Sequence, residues 1–256
     1  MVADPLLLAG AGVVGLCVGS FLNVCIVRLP NNLSIVRPPS ACPRCKHPIE
    51  WRDNIPLLSW LFLKGRCRWC GEPISPQYPI VEAAVGAGWL AAVLAYGLTL
   101  RALEGALFGT ILLGIAVTDA RHYLIPDEYT WGGLVLGLAL SLASGVDGFL
   151  HAVLGAAVGF GLLYAVARAG EWVFKEEAMG GGDIKMMAMV GAFVGWKGVL
   201  LTVFLGALLG SLVFVPLSLR KKRLVPFGVF LAVGAAVTFV LGDAIIVWYL
   251  HFLRGS

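Results

Sequence analysis

Apolar residues run along this chain in long, unalternated blocks separated by short polar stretches. Leu6–Val27 comes first, and Ile80–Leu98, Ala102–Thr118, Tyr129–Ser144 and Gly148–Ala167 follow. Ile184–Trp196, Val199–Leu219 and Pro226–Leu250 complete the series. Several approach the ~20 residues a helix needs to cross ~30 Å of hydrocarbon. Barrel strands would show weak, alternating segments of about 10 residues instead. The pattern predicts an all-α polytopic membrane protein with about eight transmembrane helices. The first run has Asp4 where a signal peptide has a basic region, and it lacks a small-x-small exit. It is expected to remain as a membrane helix.

The sixth run stands apart because it is short. Its 13 residues make roughly 20 Å of helix, and Met179-Gly180-Gly181-Gly182-Asp183 precedes it. Either the bilayer thins there or non-helical backbone enters the membrane under shelter. A run of three Gly suits the second case, since Gly accepts positive φ. No internal repeat is evident.

Composition narrows the class. Only 13% of the 256 residues are charged, against about 25% in soluble domains. Another 59% are hydrophobic, 33 are Gly, and mean hydropathy is +0.88. A water-soluble monomer, a disordered chain and a disulfide scaffold are excluded. The net charge of +4 is too small and dispersed to imply nucleic acid; the implied surroundings are a lipid bilayer.

Charge distribution predicts orientation. If every run crosses, 16 of the 19 Lys and Arg fall on one side. They are the eight in Arg28–Tyr78, then Arg121, Arg168, Lys175, Lys185 and the cluster Arg220-Lys221-Lys222-Arg223. The positive-inside rule makes that side cytoplasmic and puts both termini outside. The expected division is 1–28, a first transmembrane helix; 29–78, a cytoplasmic module; and 79–256, a transmembrane core.

Within the module, Cys42-Pro-Arg-Cys45 and Cys67-Arg-Trp-Cys70 lie 21 residues apart. Two such pairs offer four thiolates to a tetrahedral Zn²⁺, and a reducing cytosol disfavours disulfides. A 50-residue loop has little core, so a structural zinc would supply folding free energy. His47 reads as a spare polar residue. Cys17 and Cys25 read as small core hydrophobes.

Asp119 ends the third run and Asp183 begins the sixth, so both are expected at the cytoplasmic face. Ionisable groups at a membrane boundary are costly and usually functional. Two neighbouring carboxylates can share a proton, one activating water while the other protonates a carbonyl. The bland alternative makes each Asp a helix cap or an interfacial residue. Asp127, after Pro126, reads as an N-cap for the next helix, and His122 as a solvated loop residue. Glu82 and Glu104 read as interfacial, and Asn23 as a maker of an interhelical hydrogen bond.

Together the motifs resemble the type IV prepilin peptidases, which are GxGD aspartic proteases of bacterial inner membranes. The resemblance rests on Gly19-Ser-Phe-Leu-Asn-Val-Cys-Ile-Val-Arg28-Leu-Pro30, the four-Cys segment and Asn54-Ile-Pro-Leu-Leu-Ser-Trp60. It extends through Asp119 with Ile125-Pro126-Asp127, Gly180-x-Gly182-Asp183-x-Lys185 and Pro226-Phe-Gly228, nearly the whole chain. It implies a catalytic dyad of Asp119 and Asp183, with Gly180, Gly182, Lys185 and Asp127 as supporting motif residues. It also implies prepilin or pseudopilin substrates, cut after a Gly at the cytoplasmic edge of their hydrophobic helix. The four Cys resemble the bifunctional subtype, which methylates the new N-terminus with S-adenosylmethionine. No Gly-rich strand-turn-helix pattern locates a methyl-donor pocket.

Two other readings use the same residues differently. A transporter would make the aspartates ion or proton carriers and the short run a broken helix. A non-enzymatic scaffold would use the zinc module to bind secretion machinery.

Overall fold

The structure, a computed structural model, describes residues 5–175, 179–218 and 226–254. The basic cluster Arg220-Lys221-Lys222-Arg223 lies outside them. The helices are α1 (Pro5–Arg28), the short α2 (Leu58–Phe62), α3 (Gln77–Tyr96), α4 (Leu100–His122) and α5 (Asp127–Ser141). Next come α6 (Gly145–Phe174), α7 (Gly181–Ser218) and α8 (Phe227–Arg254). Among the described residues the only β pairing is two isolated bridges, Ala41 with Pro48 and Arg66 with Pro73.

Among the described residues six helical runs are long and apolar enough to cross a membrane, fewer than the eight apolar blocks in the sequence. The difference lies at two glycines. Asp127–Phe174 is a single run of 48 residues, but Gly145 at φ 82° separates α5 from α6. Within α7, Gly195 sits at φ 66°, ψ 176°, outside the helical region, and divides the helix in two. Only a residue without Cβ enters such backbone cheaply.

The chain forms two compact units, residues 1–114 and 115–256. In the first, α1 and α3 meet backbone to backbone. A Cβ on Gly15 would stand 2.9 Å from the Gly86 Cα, and one on Gly19 2.8 Å from the Glu82 Cα. Such close approach is the general use of small residues between membrane helices. Asn23, buried in α1, makes the expected interhelical bond, donating from Nδ2 to the Tyr78 carbonyl at 3.1 Å. Beyond α3, the Trp89 indole N–H donates to Thr110 Oγ1 at 3.1 Å. Ala92, Ala102 and Ala106 pack beside that pair.

The second unit is built around α7. Its first half lies on α6 so closely that a Cβ on Gly155 would strike the Gly191 carbonyl, and one on Gly159 the Met187 carbonyl. Met186, Met187, Met189 and Val190 are fully buried there. The second half packs on α8, where buried Thr202 and Thr238 share a hydroxyl hydrogen bond of 3.1 Å.

The three glycines before Asp183 depart from expectation. None of them has a positive φ, and the helix has already begun at Gly181. Gly182 is needed for space instead: a Cβ there would lie 3.0 Å from the Ile125 Cβ.

Candidate active site and metal centre

Asp119 sits in the last turns of α4 and is 5% exposed. Its Oδ2 accepts the Val229 backbone N–H at 3.2 Å. Gly228 makes that approach possible, because a Cβ there would stand 2.9 Å from Oδ2 and 2.7 Å from Ile125 Cδ1. The start of α8 is therefore part of this site, through backbone that Pro226-Phe-Gly228 supplies.

Asp183 occupies the first turn of α7, where the unpaired amide dipoles favour negative charge. Ile125 links the two sites, lying 3.0 Å from a Cβ on Gly182, beside Asp183, and 2.7 Å from one on Gly228, the residue that Asp119 Oδ2 also approaches. The buried Asp183 Oδ1 has no hydrogen-bond partner among the described residues. An orphaned buried oxygen is rare in folded proteins and marks a place for water, a proton or a ligand. Two carboxylates that share their surroundings, one with an open oxygen, have the parts for acid–base work on a water.

Asp127 is not the cap the sequence suggests. Pro126 holds the N-cap position of α5 and no side chain caps it. Asp127 instead accepts both hydrogen bonds of Lys185 Nζ, at 2.7 and 2.9 Å. Gly180 lies 3.6 Å from Asp183 Oδ2, measured from where its Cβ would be. His122 is exposed at the end of α4, as expected of a loop-side residue.

The four cysteines converge. The Sγ atoms of Cys42, Cys45, Cys67 and Cys70 all lie within 4.8 Å of one another. A tetrahedron of Zn–S bonds of about 2.3 Å has S···S edges of about 3.8 Å, and Cys42 and Cys70 stand 3.8 Å apart. The donor set fits zinc. The Cys45 backbone N–H, aimed at the Cys42 sulfur, lowers the Cys42 thiol to about 7 against the resistance of burial. At Cys70 a Glu72 N–H acts downward, but desolvation and the neighbouring thiols outweigh it and hold the group at about 11.

A repeat missed in the sequence emerges here. In one knuckle Cys42 N–H bonds the His47 carbonyl and Lys46 N–H bonds the Cys42 carbonyl. In the other, Cys67 bonds Glu72 and Gly71 bonds Cys67 in the same way. Lys46 and Gly71 occupy the same left-handed turn position, at φ 60° and 71°. The pairing across the knuckles is reciprocal: Arg44 meets Glu72 at 3.6 Å, and Trp69 meets the His47 ring at 4.0 Å. His47 thus supports the opposite knuckle and is not a ligand. The repeat is legible as Cys-x-x-Cys-x-x-Pro-Ile at both places.

Two further residues differ from expectation. Glu82 is not interfacial but buried, and its Oε2 accepts the Leu57 N–H at 2.8 Å. Cys25 is buried as expected, whereas Cys17 is exposed on α1.

Taken together, these are the features of a helical polytopic membrane protein with a paired-carboxylate centre and a four-thiolate metal module. The family models are more specific: residues 13–96 match the bacterial peptidase A24 N-terminal domain and residues 106–215 the type IV leader peptidase family. The chain belongs to that family. A protein of Myxococcus xanthus named prepilin leader peptidase/N-methyltransferase is 42% identical over 87% of this chain and 66% of its own length. Proteins of the same name from Aeromonas hydrophila and Klebsiella pneumoniae are similar too. The first is 34% identical over 92% of this chain and 91% of its own. The second is 42% identical over 75% and 87%. No solved structure matches. The chain is therefore an enzyme, a multi-pass inner-membrane leader peptidase with methyltransferase activity, and the transporter and scaffold readings are not favoured.

Proposed function

We propose that this protein removes the leader peptide of type IV prepilins or pseudopilins at an Asp119–Asp183 dyad and then N-methylates the new N-terminus. What supports the reading is that two acids of the leader-peptidase segment border one side chain, Ile125, through Gly182 and Gly228, and that one of them has an open buried oxygen. In this reaction one carboxylate takes a proton from water as its oxygen bonds the scissile carbonyl carbon. The other gives its proton to the carbonyl oxygen. Collapse of the tetrahedral diol breaks the C–N bond as the proton gained from water passes to the departing amine, and one diol hydroxyl returns its proton to the second carboxylate as the C=O bond reforms. Val229 N–H holds Asp119 in place throughout, and the α7 dipole favours charge at Asp183.

S-adenosylmethionine supplies the methyl group when bound. Zinc, held by Cys42, Cys45, Cys67 and Cys70, serves folding of the 29–78 module; residues 1–28 and 79–256 form the membrane parts. The module and both aspartates face the cytoplasm, where the excess of Lys and Arg lies, and the termini face outward. The substrates serve pilus assembly or type II secretion.

The test is purified, zinc-loaded protein in nanodiscs with a prepilin, with and without S-adenosylmethionine, read by mass spectrometry. Leader loss in both arms and one added methyl only with the donor is the expected result. An intact prepilin in both arms, with folded enzyme, overturns the reading.

A further inference from the structure

The first unit holds a partly open cavity of about 460 Å³ between α1, the four-Cys module and the start of α3. That is the size of small-molecule sites, which span about 300–1,000 Å³. Its walls carry three carboxylates, Asp53, Glu72 and Glu82, and two guanidiniums, Arg28 and Arg68.

Most of these charges are already matched. Arg68 grips Asp53, with Nε to Oδ2 at 2.8 Å, which holds the Asp53 carboxyl below the usual carboxylate range. Glu72 has Arg44 at 3.6 Å. Two remain without an ion pair among the described residues. Glu82, 7% exposed, spends one oxygen on the Leu57 N–H and none on a cation. Arg28 donates only to carbonyls, those of Ser34 and Pro38, each at 2.8 Å. A lone buried carboxylate is costly unless something offsets its charge. The backbone beside it is strained as well, since Leu57 stands at φ 59°, ψ −51°. Such strain persists only where surroundings enforce it, and it gathers at ligand clamps. Trp60 and Trp69 add aromatic faces to the same wall.

An unpaired anion, an unpaired cation and two indoles around one cavity match a molecule with a zwitterionic amino-acid end and a flat heterocycle. We infer that this cavity binds S-adenosylmethionine, with Glu82 taking the α-ammonium, Arg28 the α-carboxylate and the tryptophan faces the adenine. The inference rests on the methyltransferase reading and adds the donor's site to it. A carboxylate at the ammonium also suits the chemistry better than one at the sulfonium. Methyl transfer discharges the sulfonium as the amine lone pair bonds the methyl carbon and the S–C electrons return to sulfur. An anion against sulfur would therefore hold the ground state more tightly than the transition state.

The experiment is calorimetric binding to the zinc-loaded full chain in nanodiscs, with three probes. S-adenosylmethionine and S-adenosylhomocysteine carry the amino-acid end; methylthioadenosine lacks it. Glu82→Gln keeps an oxygen for the Leu57 N–H but loses the charge. It is expected to weaken the first two at least tenfold and methylthioadenosine less than twofold, with wild-type zinc content. Val24→Phe, on the α1 wall, is expected to abolish binding of all three and carries the test if Glu82→Gln misfolds. Wild-type affinity for S-adenosylmethionine in either folded variant overturns the assignment, as does equal weakening of all three probes by Glu82→Gln. A wild-type protein that neither binds the donor nor methylates overturns the methyltransferase reading beneath it.

Discussion

Lys185 Nζ reaches both carboxylate oxygens of Asp127, at 2.7 and 2.9 Å. This pair ties the segment that follows Asp119 to the turn that carries Asp183. The side chains are 33% and 56% exposed, and a pair so exposed contributes roughly 0–1 kcal/mol. Its value is therefore expected in placement and not in stability. Lys185→Gln and Asp127→Asn should each lower kcat for leader cleavage severalfold while leaving Tm nearly unchanged. The double variant should lose no more than either one, since both remove the same tie. A large fall in Tm would instead mark the pair as a folding element.

Asp119→Asn or Asp183→Asn should abolish leader cleavage in protein of normal zinc content. The double variant should be no worse, as for groups that act as a unit. Cleavage should follow pH through the macroscopic titration of the pair and not through two independent groups. Methylation of a substrate supplied already cleaved should persist in both. Cleavage assays across pH, with a pre-cleaved peptide as the second substrate, check all of this.

Elemental analysis should find about one zinc per chain, as four thiolates closing one tetrahedron require. Cys→Ser at any of the four positions should reduce it. With the Cys42 thiol at about 7, below its ordinary 9.0, that group is largely ionised above neutrality and zinc displaces little proton there. The Cys70 thiol, held at about 11, is protonated well above neutrality, so zinc competes with its proton there already. As pH falls through about 7 the Cys42 proton returns as well. Apparent zinc affinity should therefore decline with falling pH on both sides of neutrality, and more steeply below about 7. Competition with a metal indicator at several pH values measures the slope.

Gly191→Leu would push a side chain into the Gly155 carbonyl. Overpacking typically costs about 1–3 kcal/mol, and here the obstacle is backbone, which yields less readily than a side-chain tip. Thermal unfolding in detergent should show a marked fall in Tm, with leader cleavage reduced. Gly181→Ala, with nothing within 4 Å of its added Cβ, is the control and should be tolerated.

Thiol labelling of single-Cys variants tests the orientation. Gly145 and Lys197 should label from outside, and positions within 29–78 from the cytoplasm. Labelling at Lys197 only from the cytoplasm would mean that the first half of α7 enters and leaves on the same side.

Much of this was legible because the relevant signals are local. Apolar blocks report membrane helices one at a time, and Cys-x-x-Cys pairs announce a metal through spacing alone. Asp119 and Asp183 stood out because charge beside apolar runs is expensive. Relationships across the chain were not legible in the same way. Nothing near Asp127 announces Lys185, 58 residues on, so a local cap looked sufficient. Glu82 is the third residue of an apolar run and reads as interfacial until Leu57 and the module close over it. The glycines before Asp183 suggested unusual dihedrals, whereas Gly182 serves a neighbour, Ile125, that local sequence does not show.

The reciprocal knuckles bear on how long the segment between them can be. Because Cys42 and Cys70 meet at 3.8 Å, the stretch that joins the knuckles is a closed loop, pinned where it leaves and where it returns. Closure entropy grows only with the logarithm of loop length, about 0.6 kcal/mol per doubling. The 21 residues separating the two Cys pairs are thus a loosely constrained quantity. Insertions away from Leu57 should leave the metal geometry intact, while a single deletion that shifts Leu57 relative to Glu82 should not be absorbed.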